Sequence, residues 1–349
     1  MRTHRRKQLA AISTFTLVTS LVVSSSHAAT RDVELLRRRE PDGRHAALAE
    51  TPAHWPLRPR VAEQVLSRAP MRVVRDRSAG RGVTGARRLS LAIADVDAPV
   101  DVKWKPAPRL LDTLNNSPRR ELAAYQVQRL FLDPTDYVVP TSVLRCLGRD
   151  EWRPVRRHVV QTIRGTGCEI GVLSLWLDGV ELPDALLDRS RFARDADYAE
   201  AIADFNLALY LMKHQDGRRG NFLVSGEEGR PRFFSVDNGV AWSGLLYNWF
   251  VPNWKHIRVP ALRRASVDRL RTLDRSDLEF LGVVAQLEWR SAQGFTPVDP
   301  GPNLDPAQGV RVDGRTIQIG LDAGEISQLA GRIEHLLRDV DRGAIPVFP

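Results

Sequence analysis

The amino-acid sequence predicts an α+β fold of two lobes, in which a strand-rich first lobe precedes a helix-rich second lobe. Apolar or alternating runs typical of strands occupy residues 89–94 and 100–104. In the second half, apolar side chains recur at steps of three and four, as on one face of a helix. These side chains are Tyr198, Ile202, Phe205, Leu209 and Met212.

The remaining elements follow from turn and cap signals. A helix is predicted after Ser117-Pro118, because serine suits an N-cap and proline suits the first turn. The other strands are predicted at residues 141–147, 159–163, 169–177, 221–225 and 232–236, the last two forming a hairpin. The other helices are predicted at residues 61–68, 260–273, 276–286 and 324–338.

The first 28 residues are typical of a secretory signal peptide. Four Arg and Lys residues precede a largely apolar stretch at 9–23, and small residues follow near Ala28. The apolar stretch is short for a membrane span, although an uncleaved N-terminal anchor is the alternative. We expect a bacterial protein exported to the periplasm or secreted. Its parts would be a linker with a short helix (29–70), a first lobe (71–178) and a second lobe (179–349).

The charge of the exported chain argues against nucleic-acid binding. The full sequence has a formal net charge of +9, and its first 28 residues hold four Lys or Arg and no Asp or Glu, which leaves +5 after cleavage. Such a mild, scattered excess provides no basic patch that would neutralise phosphate backbones. We expect no nucleic-acid partner and no stable membrane span in the mature chain.

The sequence contains two cysteines, Cys146 and Cys168. Export makes a disulfide chemically possible, and both cysteines fall in segments that could be neighbouring strands. One bridge and two buried free thiols are both consistent with this pattern. No Cys-x-x-Cys spacing is present that would indicate a metal site.

A glycine-rich segment precedes the first predicted strand. Gly80, Gly82 and Gly85 form the pattern G-x-G-x-x-G, in which backbone N–H groups can approach phosphate oxygens closely. A dinucleotide site is disfavoured, because no strand-then-helix unit surrounds the pattern. An ordinary Arg- and Gly-rich loop is the alternative interpretation.

Two lysines and a glutamate follow this segment. Lys103 and Lys105 fall on one face of a predicted strand, from which a lysine can reach into a cleft and hold phosphates. Glu121 lies in the first turn of the helix that follows. It could pair with such a lysine, or it could interact only with the helix dipole.

The sharpest signal lies around the predicted hairpin. Asp216 follows a helix, Asn221 lies five residues later where a strand begins, and Asp237 follows the second strand of the hairpin. Phosphoryl transfer needs an acidic residue at the acceptor hydroxyl and oxygen ligands for a metal that bridges the nucleotide phosphates. Asp216 fits the first role, and Asn221 and Asp237 fit the second.

The order H-x-D-x-x-x-x-N, then strand-Asp-x-Gly, resembles the protein-kinase superfamily. His214, Asp216, Asn221 and Asp237 supply that order here. The Lys105-Pro106 strand and the helix after it are similar to those of the Golgi casein kinase family, an atypical secretory-pathway branch. The Lys-Pro strand is also similar to that of phosphatidylinositol 3-/4-kinases. The resemblance implies a bilobal protein-kinase-like fold with a strand-rich N-lobe and a helical C-lobe.

The resemblance also implies roles in the first lobe. Lys105 would contact the nucleotide phosphates, with Lys103 as the fallback, and Glu121 would pair with that lysine. Leu175 and Leu177 would line the hinge and the adenine site. The glycine-rich segment would cover the phosphates of ATP.

In the second lobe, the resemblance makes Asp216 the catalytic aspartate, and Asn221 and Asp237 the ligands of Mg²⁺ or Mn²⁺. The implied activity is transfer of a phosphoryl group from ATP to a hydroxyl of a protein, glycan or lipid head group. Two alternatives stay open. One is a kinase-fold binding module without catalysis, which the scarcity of ATP outside the cytoplasm favours. The other is a nucleotidyl transferase on the same fold.

Overall fold

The computed structural model describes residues 54–80, 85–225, 230–243, 253–290 and 294–349. The predicted signal peptide, most of the predicted linker and Gly82 lie outside the described residues. Across the described ranges, no helix has both the length and the apolar character needed to cross a membrane. The predicted α+β class is confirmed, because the described residues form helices beside several antiparallel sheets whose strands come in runs.

The first sheet has five strands in the order β1-β2-β3-β5-β4, and each neighbouring pair is antiparallel. The predicted strand at 159–163 does not form. Thr162 instead accepts a hydrogen bond at its hydroxyl from Ile170 N (2.8 Å) and donates its backbone N–H to Cys168 O (3.3 Å), so this segment contacts β5 without forming a strand. The strands are β1 (Met71–Ser78), β2 (Arg87–Ile93), β3 (Val100–Pro106), β4 (Ser142–Gly148) and β5 (Cys168–Leu175).

Two helices pack against this sheet, α1 (Pro59–Arg68) and α2 (Pro118–Gln128). Helix α1 buries Ala62 and Leu66 completely in the main hydrophobic core. The predicted short helix therefore forms, and it belongs to the folded body. Helix α2 begins at the proline that the sequence indicated, since that residue needs no backbone N–H in the first turn.

A disulfide joins Cys146 of β4 to Cys168 of β5. The two strands are paired, with Cys146 opposite Ile170 and Cys168 opposite Gly148. The Cα atoms lie 5.4 Å apart, which is within the usual span of a disulfide. Of the two possibilities left open by the sequence, the bridge is the one that forms.

The second half of the chain is built around a long buried helix. Its stripe of Ile202, Phe205 and Leu209 is fully covered, because the apolar spacing of the sequence matches one helix face. A short helix, α3 (Arg149–Trp152), lies between β4 and β5. Besides 3₁₀ turns and a further sheet, the second half contains β6 (Val180–Glu181), α4 (Arg189–Arg194), α5 (Ala196–Leu211), β7 (Phe222–Ser225), β8 (Phe233–Ser235), β9 (Leu262–Arg263), α6 (Arg264–Arg271), α7 (Ala323–Asp341) and β14 (Val347–Phe348).

A four-stranded antiparallel sheet, in the order β11-β10-β13-β12, is a feature that the sequence analysis did not predict. The helix predicted at 276–286 is wrong in its second half, where a 3₁₀ helix (Ser276–Gly282) gives way to a strand. Leu287 and Ile317 pack against Ile170 of the first sheet in a second core cluster. The strands are β10 (Ala285–Arg290), β11 (Gly294–Val298), β12 (Val310–Asp313) and β13 (Thr316–Ile319).

Candidate active site

Lys105 lies at the centre of a buried group of charges. It comes from β3, and its side chain is 4% exposed. Its Nζ donates a hydrogen bond to Asp237 Oδ1 at 2.7 Å and lies 3.5 Å from Glu121 Oε2. Burial opposes the charge of this amine, but the two carboxylates outweigh burial and raise the pKa of Lys105 above its ordinary value. Lys105 is therefore a fixed cation.

Glu121 reaches this lysine from the first turn of α2. Its side chain is 4% exposed, and its Oε2 also accepts a hydrogen bond from the backbone N–H of Asn238 at 3.1 Å. One carboxylate oxygen thus faces the β3 lysine and the segment that carries Asp237. Through Glu121, helix α2 thereby contacts both Lys105 and Asn238, which are 133 residues apart in the sequence.

Asp237 lies between both lysines that the sequence singled out. Its Oδ2 is 3.9 Å from Lys103 Nζ, which in turn donates to the carbonyl oxygen of Val236 at 2.6 Å. Burial would raise the pKa of Asp237, but the charges of Lys103 and Lys105 and a hydrogen bond from Lys105 hold it well below the usual range. The Asp237 side chain is therefore ionised, and it is still 33% exposed.

Gly239 closes the group from one side, and the sequence analysis did not include it among the site residues. A Cβ on this glycine would lie 2.9 Å from Lys105 Nζ and 3.5 Å from Glu121 Oε2. Only a residue without a side chain allows the lysine ammonium to lie here. The Asp-x-Gly spacing from Asp237 to Gly239 is the sequence signal that could have identified this glycine as a site residue.

Asp216 lies on the loop that follows α5. Its backbone N–H donates to Nδ1 of the buried His214 at 3.3 Å. Burial lowers the pKa of His214 to about 4, so this ring is a neutral acceptor. Among the described residues, Asp216 Oδ1 is buried without a hydrogen bond, since Arg218 Nε lies 3.1 Å away but outside hydrogen-bond geometry. A buried carboxylate oxygen without a donor can accept one from a substrate.

Asn221 connects the Asp216 loop to the Asp237 segment. Its side-chain Nδ2 donates to Asp216 O at 3.0 Å, and its own carbonyl accepts from Val236 N at 3.0 Å. The β7–β8 pairing, with Phe222 opposite Ser235, sets this register. The hairpin therefore brings Asn221 alongside Val236, the residue before Asp237, and their shared role at a metal stays a prediction.

Asn221 and Asp237 offer oxygen atoms of the kind that hard divalent cations bind. Within the described ranges, no three or more His, Cys, Asp or Glu side chains come together as a metal site. A bound Mg²⁺ or Mn²⁺ would thus take its remaining ligands from phosphate oxygens and water, which is how Mg²⁺ is commonly held beside nucleotides. The donor set fits a cation that arrives with a nucleotide.

The remaining predicted residues lie on the first sheet. Gly80 and Gly85 lie in the turn between β1 and β2, with φ angles of 113° and 68° that favour glycine. Gly82 lies outside the described residues. Leu175 ends β5 and Leu177 follows it, and both are part of the main core. Their proposed contacts with a nucleotide stay predictions.

No protein-family model and no curated protein matches the chain. Among solved structures, the chain is similar to one described as hydra Fam20 with sugar, at 15% identity and a TM-score of 0.48, over 80% of this chain and 87% of that chain. It is also similar to the Golgi casein kinase with Mn/ADP bound (9% identity, TM-score 0.42, 79% and 84% covered). A further Golgi casein kinase structure gives 11% identity, a TM-score of 0.43, and 76% and 83% coverage.

Two of these structures are of the Golgi casein kinase, whose family the sequence also resembles. Each identity is low and each TM-score is below 0.5. The roles of individual residues therefore depend on the geometry of the site in this chain.

Proposed function

We propose that this chain is an ATP- and metal-dependent phosphotransferase of the kinase type. The observation that carries the proposal is the position of Lys105 Nζ, 2.7 Å from Asp237 and 3.5 Å from Glu121. Protein kinases use a lysine on the third strand, a glutamate on the next helix and an Asp-x-Gly aspartate in this relation. A strand, a helix and a loop that are remote in sequence converge here on one buried ammonium group.

The geometry suggests a division of work around the transferred phosphoryl group. Lys105 would hold phosphate oxygens, and Lys103 lies close enough to add a second positive charge beside Asp237. Asp216 would accept a hydrogen bond from the acceptor hydroxyl and orient it for in-line attack. Asn221 and Asp237 would hold Mg²⁺ or Mn²⁺, which neutralises phosphate charge when bound.

We further propose that the protein acts after export, on a hydroxyl of a protein, glycan or lipid head group. The Cys146–Cys168 disulfide supports this location, because such bonds persist mainly in oxidising compartments. Asp216 supports a hydroxyl acceptor, because its Oδ1 accepts no hydrogen bond within the described residues and is paired only with Arg218, whose side chain is 56% exposed.

The test is to incubate the full chain with ATP labelled at the γ or the α position, with Mn²⁺, Mg²⁺ or a chelator. Asp237→Asn removes the charge that would hold the metal but keeps the side-chain shape. Asp268→Asn is the matched control, because Asp268 is on α6 with a 61% exposed side chain. We expect metal-dependent transfer of the γ label that is lost only in Asp237→Asn.

Three results would contradict parts of this proposal. Transfer of the α label would indicate nucleotidyl transfer instead. Metal-dependent ATP binding without transfer to any offered hydroxyl would support a binding module. Absence of any ATP-induced thermal shift with either metal would remove the nucleotide site altogether.

A further inference from the structure

Helix α2, which carries Glu121, is held at its N-terminal end by a carboxylate from α7. Arg119 donates to Glu325 Oε2 and, at 2.7 Å, to Asp112. Arg120 donates to Glu325 Oε1 through Nε and Nη2, at 3.2 and 3.1 Å. Two successive arginines beside Glu121 thus share one glutamate that lies 206 residues further along the chain from Arg119.

This contact is enclosed by protein. Arg119 and Glu325 are each 6% exposed, and Arg119 also donates to Gly320 O at 3.3 Å. A Cβ on Gly309 would lie 2.5 Å from Arg119 Nε, so the chain around β12 and β13 presses directly on this guanidinium. The β10–β13 sheet and α7 therefore pack against the N-terminal end of α2.

Arg120 extends the same contact toward the Asp237 segment. Its Nη1 donates to the hydroxyl of Ser243 at 2.9 Å, and Ser243 is 2% exposed. Ser243 lies six residues after Asp237. One arginine thus joins Glu325 to the segment that presents Asp237 to the lysine.

A second carboxylate holds the other end of α2. Glu63 of α1 accepts hydrogen bonds from Arg129 Nη1, at 3.2 Å to each oxygen, and from the hydroxyl of Tyr125 at 3.3 Å. Arg129 is the C-cap residue of α2. The Glu63 side chain is 32% exposed, so this end is more open to water than the other.

We propose that Glu325 and Glu63 are positioning residues that fix α2 from its two ends and so keep Glu121 against Lys105. This inference rests on the proposed function and deepens it. Neither carboxylate contacts Lys105, so each acts through the helix. The contacts predict a site whose lysine–glutamate pair is formed before a nucleotide arrives.

Glu325→Gln tests the N-terminal end. Glutamine keeps the reciprocal cap in which Glu325 accepts from Asp322 N at 3.1 Å, because glutamine serves equally in a capping box. It removes the charge that Arg119 and Arg120 share. Glu334→Gln on the same helix is the matched control, because Glu334 has a 70% exposed side chain.

The first readout is the affinity of the full chain for Mn²⁺·ATP, measured well below the unfolding temperature. A purely structural role would lower the unfolding temperature and leave the affinity of the folded protein unchanged. We expect affinity to fall about tenfold in Glu325→Gln, the loss that corresponds to one weakened charge-assisted hydrogen bond between Lys105 and phosphate, and to stay at the wild-type level in Glu334→Gln. Glu63→Gln, at the more exposed end, supplies a variant that folds even if Glu325→Gln does not.

The second readout does not depend on nucleotide binding. The rate at which an amine-reactive reagent labels Lys105 should rise in both variants, while the exposed Lys255, outside the candidate site, serves as an internal reference. Wild-type affinity and wild-type labelling of Lys105 in Glu63→Gln and Glu325→Gln would overturn the inference. If the wild-type protein binds no Mn²⁺·ATP, the proposed function fails, and the labelling rate alone then decides whether the two carboxylates position α2.

Discussion

Replacing Gly239 with alanine should displace Lys105 without unfolding the protein. The added carbon would lie 2.9 Å from Lys105 Nζ. Non-bonded atoms prefer about 3.5 Å or more, so the ammonium group must retreat by about 0.6 Å. If this movement lengthens the 2.7 Å contact with Asp237, the attraction weakens by about 1 kcal/mol at an effective dielectric constant of about 20.

The assay is calorimetric titration of the full chain with Mn²⁺·ATP, beside urea unfolding. Affinity should fall about fivefold, because the same displacement weakens the attraction of the ammonium for a phosphate oxygen by about 1 kcal/mol. The free energy of unfolding should fall by no more than the ~1 kcal/mol lost in the contact with Asp237. Gly331→Ala is the control: its new carbon meets no atom within 4 Å, and alanine favours a helix interior by about 1 kcal/mol. Wild-type affinity in Gly239→Ala would refute the placement of the ammonium beside Gly239.

Two further predictions concern stability. The double substitution Cys146→Ser with Cys168→Ser removes a disulfide between residues 22 positions apart. The free energy of unfolding should therefore fall by about 3 kcal/mol. An unchanged midpoint of urea unfolding would contradict this. Burial lowers the pKa of His214 to about 4, below its value of about 6.5 in an unfolded chain. Stability from this residue is therefore present above about pH 6.5 and is lost as the pH falls toward 4, by roughly 3 kcal/mol. His214→Asn should flatten that part of the pH profile, and an equal slope in both proteins would show that other groups cause it.

Local signals in the sequence were sufficient for much of the first lobe. The strand that carries Lys105, the two strands of the disulfide and the start of α2 at Pro118 were all predicted to within a few residues. These elements combine a clear period with strong caps or turns. The sheet of β10–β13 was missed, because its strands have four to six residues and become stable only by packing on Ile170 and its neighbours.

In the candidate site, too, contacts between residues close in sequence were predictable and contacts between distant residues were not. Two lysines two residues apart share one strand face, so the sequence could only rank Lys105 over Lys103. The structure separates them, since Lys105 Nζ lies 3.5 Å from Glu121. No local signal could identify Glu325, because its partner Arg119 is 206 residues away.

The distance between Arg119 and Glu325 along the chain also bears on when the site is completed. A ribosome makes α2 long before it makes α7, and contacts of high sequence separation form late. Helix α2 can fold early, but its N-terminal end stays without its shared carboxylate until the last helix has emerged. For a chain that is exported as we propose, this delay would leave the lysine site unassembled while the chain is still beside cytoplasmic ATP.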